Sequence, residues 1–224
     1  MKNLSECELL KLHMDCMFTY EEGRMVYVNE PWGASTPAPL LFAGRTVGGE
    51  ISWRFGREAD DAFMEKAQAL LAEGVWDLSV YRTKLQADGF SEEACFFFPH
   101  SVSSFPGSRL LNSPDLELLA RSFPECAEEL GTALPYAACF LEGKIVSICR
   151  SVRRGLGQES GIETLPAYRR NGYALSALHC WTHALQEEGL VPLYSAELSN
   201  QASLQLAGKA GFVPYAQGFQ LWRA

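Results

Sequence analysis

Arg169-Arg170-Asn171-Gly172-Tyr173-Ala174 stands between a strand-like run ending Glu163-Thr164-Leu165-Pro166 and a helix-like run beginning Ala174-Leu175-Ser176-Ala177-Leu178. A glycine-bearing turn that opens a helix presents unpaired backbone N–H groups at the positive end of the helix dipole. Such a turn is a ready anion site, above all for phosphate. Two arginines at its mouth add charge-assisted donors suited to phosphate oxygens. The pattern is neither the three-glycine dinucleotide fingerprint nor the phosphate loop with lysine before Ser or Thr. Standing alone, it also fits a surface turn that is merely basic.

The flanking sequence orders a sheet around this turn. Tyr136–Leu141 and Lys144–Val152 are apolar runs separated by Glu142-Gly143, which predicts a β-hairpin. A strand is expected at about Gln158–Leu165, then the turn, a helix from about Gly172 to Glu188, and a strand at Val191–Glu197. The run from Asn200 through Ser203 to Lys209 reads as a further helix closed by Gly211-Phe212, with a last strand or hairpin to Trp222.

Arg169, Gly172 and Ala174 have the form Arg/Gln-x-x-Gly-x-Gly/Ala, which resembles the pyrophosphate-binding signature of the GNAT superfamily of acyl-CoA-dependent N-acyltransferases. Asn200-x-x-Ser203, with Lys209-x-Gly211-Phe212, is similar to that superfamily's second recurrent motif, about 25 residues further on. The resemblance covers roughly residues 134–215. It implies an α/β (α+β) fold: a mixed, mostly antiparallel sheet flanked by helices. Completing that core from Cys95–Phe98 and a helix over Asp115–Leu130 puts a GNAT-like domain at 90–224. A smaller α+β region of unknown role then occupies 1–89, a layout that resembles a GNAT subgroup with an extra N-terminal region.

Within the N-terminal part, Phe18–Tyr20 and Arg24–Asn29 read as a hairpin around Glu21-Glu22-Gly23. Leu40–Ala43 and Glu50–Phe55 read as strands, Asp60–Ala72 and Leu78–Ala87 as helices. Pro99–Pro114 is a loop rich in Ser, Pro and Gly.

Charge is uneven: residues 1–105 hold 9 basic and 16 acidic side chains, whereas 106–224 hold 10 and 11. Five later arginines (Arg150, Arg153, Arg154, Arg169 and Arg170) fall within 21 positions. An acidic protein with one local arginine cluster suits a small polyanion and disfavours nucleic acid. Arg153 and Arg154 also fit a solvated connecting loop. No segment is long and apolar enough to span a membrane. The acidic first fifteen residues read as an amphipathic helix and not as a targeting peptide. Seven cysteines without Cys-x-x-Cys pairing, mostly in apolar runs, point to reduced thiols and a cytoplasmic setting. His179 and His183 share a helix face with no third ligand nearby, so no metal site is expected. Edge strands of such a fold leave a homodimer open.

The resemblance implies acetyl-CoA as cosubstrate. Its pyrophosphate is expected on Arg169, Arg170, Asn171, Gly172, Tyr173 and Ala174. Its pantetheine arm is expected beside Ile162, Glu163, Thr164 and Leu165, with Asn200 and Ser203 on the pantetheine side. Taking a proton from an incoming amine calls for a carboxylate or histidine near the reacting carbon. Glu159 and Glu163 have the same parity on the strand before the turn and share one face. Glu159 is therefore expected as the general base and Glu163 as an orienting group; the alternative is that they are solvated, or paired with Arg150 or Arg153. The family's usual acid, a tyrosine seven residues after the motif asparagine, is Ala207 here. Tyr215, Tyr173 or solvent is left to protonate the thiolate.

Three functions fit. The first is acyl transfer to a small amine or a peptide amino terminus. The second is a non-catalytic coenzyme-A-binding or regulatory module, suggested by Ala207. The third, an aminoacyl or peptidyl transferase using tRNA, is disfavoured by the acidic charge.

Overall fold

A computed structural model describes residues 4–33, 35–100 and 107–223. Helix α1 (Glu6–Met17) starts where Ser5 and Glu8 cap each other reciprocally. Its buried residues Leu9, Leu10, His13, Met14 and Met17 recur at helical spacing and form one face. The hairpin of β1 (Phe18–Glu21) and β2 (Arg24–Val28) turns through Glu22 and Gly23, both at positive φ. That is the geometry a two-residue hairpin turn requires.

All the remaining strands form one nine-stranded sheet, ordered β4-β3-β11-β5-β10-β9-β8-β7-β6. These are β3 (Leu41–Thr46), β4 (Ile51–Phe55), β5 (Gly89–Phe97), β6 (Ser108–Leu110), β7 (Tyr136–Leu141), β8 (Lys144–Arg153), β9 (Gly157–Thr164), β10 (Val191–Glu197) and β11 (Val213–Trp222). Every pairing is antiparallel except β9 with β10. The mixed, mostly antiparallel sheet with flanking helices is the expected fold class. β3 and β4, from the N-terminal region, extend this sheet by pairing β3 on β11, and β5 lies between β10 and β11.

Strand parity divides the side chains between two faces. On one face α6 (Tyr173–Glu187) and α7 (Gln201–Ala210) pack on Phe96, Cys149, Tyr194 and Phe212, around the fully buried Trp181. Alongside them, α2 (Asp61–Ala72) and α3 (Leu78–Leu85) cover Leu41, Ala43, Phe219 and Leu221. On the other face α1 covers Phe42, Cys95, Leu193 and Tyr215. Next to it lie α4 (Leu116–Ser122) and α5 (Pro124–Ala127), over Tyr136, Ala138, Ile145 and Ile148.

Three expectations change. The helix expected over Asp115–Leu130 is two short helices, because Phe123 leaves helical geometry before Pro124. The strand expected at Cys95–Phe98 begins at Gly89, its polar residues Ser91, Glu92 and Glu93 being held by pairing with β11. In the loop expected over Pro99–Pro114, residues 101–106 lie outside the described residues and Ser108–Leu110 forms β6.

Helix α1 approaches the sheet closely at Gly157. A Cβ there would lie 2.7 Å from Leu193 Cδ1 and 2.9 Å from Leu12 Cγ. Gly157→Ala is expected to cost about 1–3 kcal/mol through overpacking. Chemical denaturation should show the loss as a lower midpoint with an unchanged slope.

Candidate active site

The only parallel pair in the sheet is also an interrupted one. β9 and β10 are in register at Val191–Gly157, Pro192–Gln158 and Leu193–Glu159, and then part. Five residues of β9 and four of β10 run on past the last pair. Leu165 N donates to Val146 O, so ladder alternation turns the backbone groups of odd-numbered β9 residues toward β8. Beyond the last pair, the C=O of Ser160 and the N–H and C=O groups of Ile162 and Thr164 therefore face the gap. On the far side, Phe98 N donates to Pro192 O and Leu198 N to Glu92 O, which assigns even-numbered β10 residues to β5. Ser195 and Glu197 thus turn their backbone toward the same gap. Among the described residues no strand fills it. It is a slot with backbone donors and acceptors on both walls, and such groups are costly to bury unpaired.

The basic turn closes one end of this slot. After a short 3-10 turn at Pro166–Tyr168, Arg170 takes φ 62° and Gly172 φ 84°, and α6 begins at Tyr173. Arg169 Nε reaches back to Thr164 O at 3.3 Å, and Asn171 Nδ2 bonds Arg169 O at 3.0 Å and Tyr168 O at 3.3 Å. These contacts shape the turn. No side chain caps the helix, and the first i→i−4 bond is Ser176 N to Gly172 O. The N–H groups of Tyr173, Ala174 and Leu175 have no acceptor within the helix. Arg169, Arg170, Asn171 and Gly172 are all exposed beside them.

Other expected contacts are distributed differently. Asn200 caps α7 by accepting from Ser203 N at 3.1 Å, and Ser203 Oγ lies 2.6 Å from Tyr194 Oη. Ala207 is fully buried in α7. Tyr173 stacks edge-on to Tyr168. Glu163 shares its face with Glu159, as parity requires, but is exposed beside α5: its Oε1 is 3.0 Å from Arg150 Nη1 and accepts from Cys126 Sγ at 3.0 Å. Arg150 also pairs with Glu129. Burial raises the Cys126 thiol to about 12, so it stays protonated and donates.

Glu159 occupies the root of the slot, at the last ladder pair, and is buried. Its Oε1 is 3.4 Å from Nε2 of the fully buried His13 and accepts from Ser195 Oγ. His13 Nδ1 lies 2.7 Å from the hydroxyl of Tyr215, also buried. Glu159 and Tyr215 are therefore joined through a histidine of the N-terminal helix, while Glu163 stands apart. Burial alone would drive the Glu159 carboxyl up; the hydrogen bond and charge of His13, aided by Arg153 and Ser195, hold it below the usual range. Burial would likewise lower His13, yet Glu159 keeps it above its ordinary value. The two form a buried ion pair. Burial lifts the Tyr215 hydroxyl well above the ordinary tyrosine range.

A second carboxylate, Glu93 of β5, lies on the same face, and burial pushes it up to about 7. In the unfolded chain a glutamate releases its proton near pH 4.3. Between that value and about 7 the folded protein holds a proton that the unfolded chain has lost, so stability falls as pH rises through this window. His13, whose pKa is raised, also contributes most at low pH, and its contribution fades as pH rises through its folded value. Glu159, whose pKa is lowered, acts oppositely: its contribution is present above the unfolded value and is lost as pH falls through the folded one. Glu93→Gln is expected to remove the first effect. At pH 8 the variant should melt several degrees above the parent, for a gain of about 3–4 kcal/mol, while at pH 4 the two should nearly coincide.

His13, Glu93 and Ser195 were not picked out from sequence. Ser195 carries a weak signal, since it follows Leu193 by two and so shares its face. His13 carries another, since it lies on the apolar stripe of an amphipathic helix.

Residues 133–217 match the family model for GNAT acetyltransferase. No curated protein matches the sequence. Among solved structures, a GCN5-related N-acetyltransferase from Kribbella flavida superposes with a TM-score of 0.51 at 13% identity, covering 99% of this chain and 96% of that one. A chain from Staphylococcus epidermidis, described as a functionally unknown conserved protein, gives 0.56 at 8% identity over 95% and 96%. At such identities the likeness is one of fold. The match over 95% or more of the chain includes the N-terminal strands and helices.

Proposed function

We propose that this protein transfers an acyl group, acetyl in the simplest case, from coenzyme A to a primary amine by direct attack on the thioester. The observation that carries this reading is the slot between β9 and β10, lined by unpaired backbone groups and ended by the uncapped N-terminus of α6. Pantetheine is a chain of two amides and pyrophosphate a dianion, and the two parts of the slot suit them in that order. Ile162 and Thr164 would pair with the amides. Tyr173, Ala174 and Leu175 N–H, with Arg169 and Arg170, would hold the phosphates.

In the reaction the amine nitrogen bonds to the thioester carbon and the carbonyl electron pair moves to oxygen. Backbone N–H groups of β9 directed into the slot are suited to that oxyanion. The C–S bond then breaks and the thiolate leaves with its electron pair. Glu159, ionised at the root of the slot, is the carboxylate placed to receive the amine's proton. Tyr215 is too deeply buried to meet the thiolate directly, which leaves Tyr173 or solvent to protonate this good leaving group. The acceptor is a small amine or a peptide amino terminus. Seven free cysteines suit a reducing, cytoplasmic setting.

Release of free thiol from acetyl-CoA over a panel of amines tests the proposal. Acceptor-dependent thiol release is expected. Ala207 in place of the family's tyrosine supports a second reading, a coenzyme-A-binding module without turnover. Tight coenzyme binding with no acceptor-dependent thiol release would establish it and overturn the first.

A further inference from the structure

Glu159 cannot itself meet an acceptor: it is only 6% exposed, and α1 lies over its face of the sheet. One neighbour reaches further. Ser195 is half-buried, stands two residues beyond the last β9–β10 pair, turns its backbone to the slot, and donates its hydroxyl hydrogen to Glu159. Glu93 lies on the same face of β5, two residues before Cys95, which pairs with Ser195. Behind Glu159 the chain continues to His13 and Tyr215. A line of hydrogen-bonded groups thus runs from the slot into the interior and ends on the N-terminal helix and β11.

We propose that Ser195 is the catalytic residue that meets the acceptor amine, relaying its proton to Glu159, and that His13 is a positioning residue holding the Glu159 carboxylate. This rests on the acyl-transfer reading. As the N–C bond forms, an amine proton passes to Ser195 Oγ while the serine's own proton moves to Glu159 Oε1. The thiolate that leaves with the C–S electron pair takes a proton from solvent, directly or through Tyr173, and the proton on Glu159 returns to solvent through Ser195. No proton or electron is left over. The N-terminal helix is then part of the reacting site, because it supplies the cation that balances the buried carboxylate.

The groups that bear on Glu159 come from every packed element: His13 and Cys16 of α1, Arg153 of β8, Glu93 and Cys95 of β5, Ser195 and Tyr194 of β10, and Tyr215 of β11. Of these His13 and Arg153 are the cations. Removing His13 leaves burial and Glu93 to raise the carboxyl.

The test is the pH profile of acetyl transfer to an arylamine acceptor carrying an electron-withdrawing ring substituent, which stays neutral from pH 5 to 9, for the parent, Ser195→Ala, Ser195→Thr and His13→Gln. Ser195→Ala is expected to lose at least tenfold in kcat with KM for acetyl-CoA unchanged, and Ser195→Thr to recover most of it. His13→Gln should move the acidic limb up by at least one pH unit. Superimposable profiles for the parent, Ser195→Ala and His13→Gln would overturn the proposal while leaving acyl transfer standing. A parent that transfers to no amine would overturn both. Should His13→Gln fail to fold by circular dichroism, the Ser195 pair decides alone.

Discussion

Gly172→Asp is expected to weaken coenzyme A binding by about 100-fold or more while leaving the fold intact. Gly172 holds φ 84°, a left-handed conformation that Asn and Asp adopt more readily than other side-chain-bearing residues. A Cβ at this position meets nothing within 4 Å, so the substitution introduces no clash. An aspartate at a helix N-cap accepts from the first-turn N–H groups, the same donors proposed to hold the pyrophosphate. It therefore competes for them and repels the ligand. Two like charges about 5 Å apart near a surface repel by roughly 3 kcal/mol, or about two decades in affinity. Gly172→Asn is the control: it offers the same backbone tolerance without charge and should lose less than about tenfold. Calorimetric titration of both variants with coenzyme A separates the outcomes. Equal binding by Gly172→Asp and the parent would remove the turn from the site.

Glu159→Gln is expected to lower kcat for acyl transfer by about 100-fold, within the range general bases supply, with KM for acetyl-CoA nearly unchanged. The change preserves shape, and a glutamine Oε1 can still accept from Ser195. It removes the charge that keeps His13 protonated, so burial should lower the imidazole toward its neutral form. Both sides of the pair are then neutral, which avoids the cost of one buried unpaired charge. Steady-state rates at pH 6, 7 and 8, with melting temperatures as a control for folding, check this. Full activity across that range would assign Glu159 a purely structural role.

The half of the chain from Tyr136 onward was legible because its signals are local. Glu142-Gly143 between two apolar runs specifies a tight turn, and the turns at Gly172 and Gly211 mark where α6 begins and α7 ends. The glycine turn proposed to hold the pyrophosphate belongs to this class. The slot does not: that β9 and β10 part after Leu193 depends on pairings between distant segments, and strand periodicity carries no trace of it. The same holds for β5, whose place between β10 and β11 gathers Glu93 and Ser195 on one face. His13 was legible as buried and no more, since its partner Glu159 lies 146 residues away. The break at Phe123 has a local cause in Pro124, set within an otherwise helical stretch.

The pairing of slot and turn as a coenzyme A site is tested most directly by following backbone amide resonances during titration with coenzyme A. The amides of Ile162, Thr164, Tyr173, Ala174 and Leu175 should shift together and saturate with one affinity, and pantetheine alone should move Ile162 and Thr164 but not the helix amides. Shifts confined to other surfaces, or no saturable change at these five amides, would contradict the account.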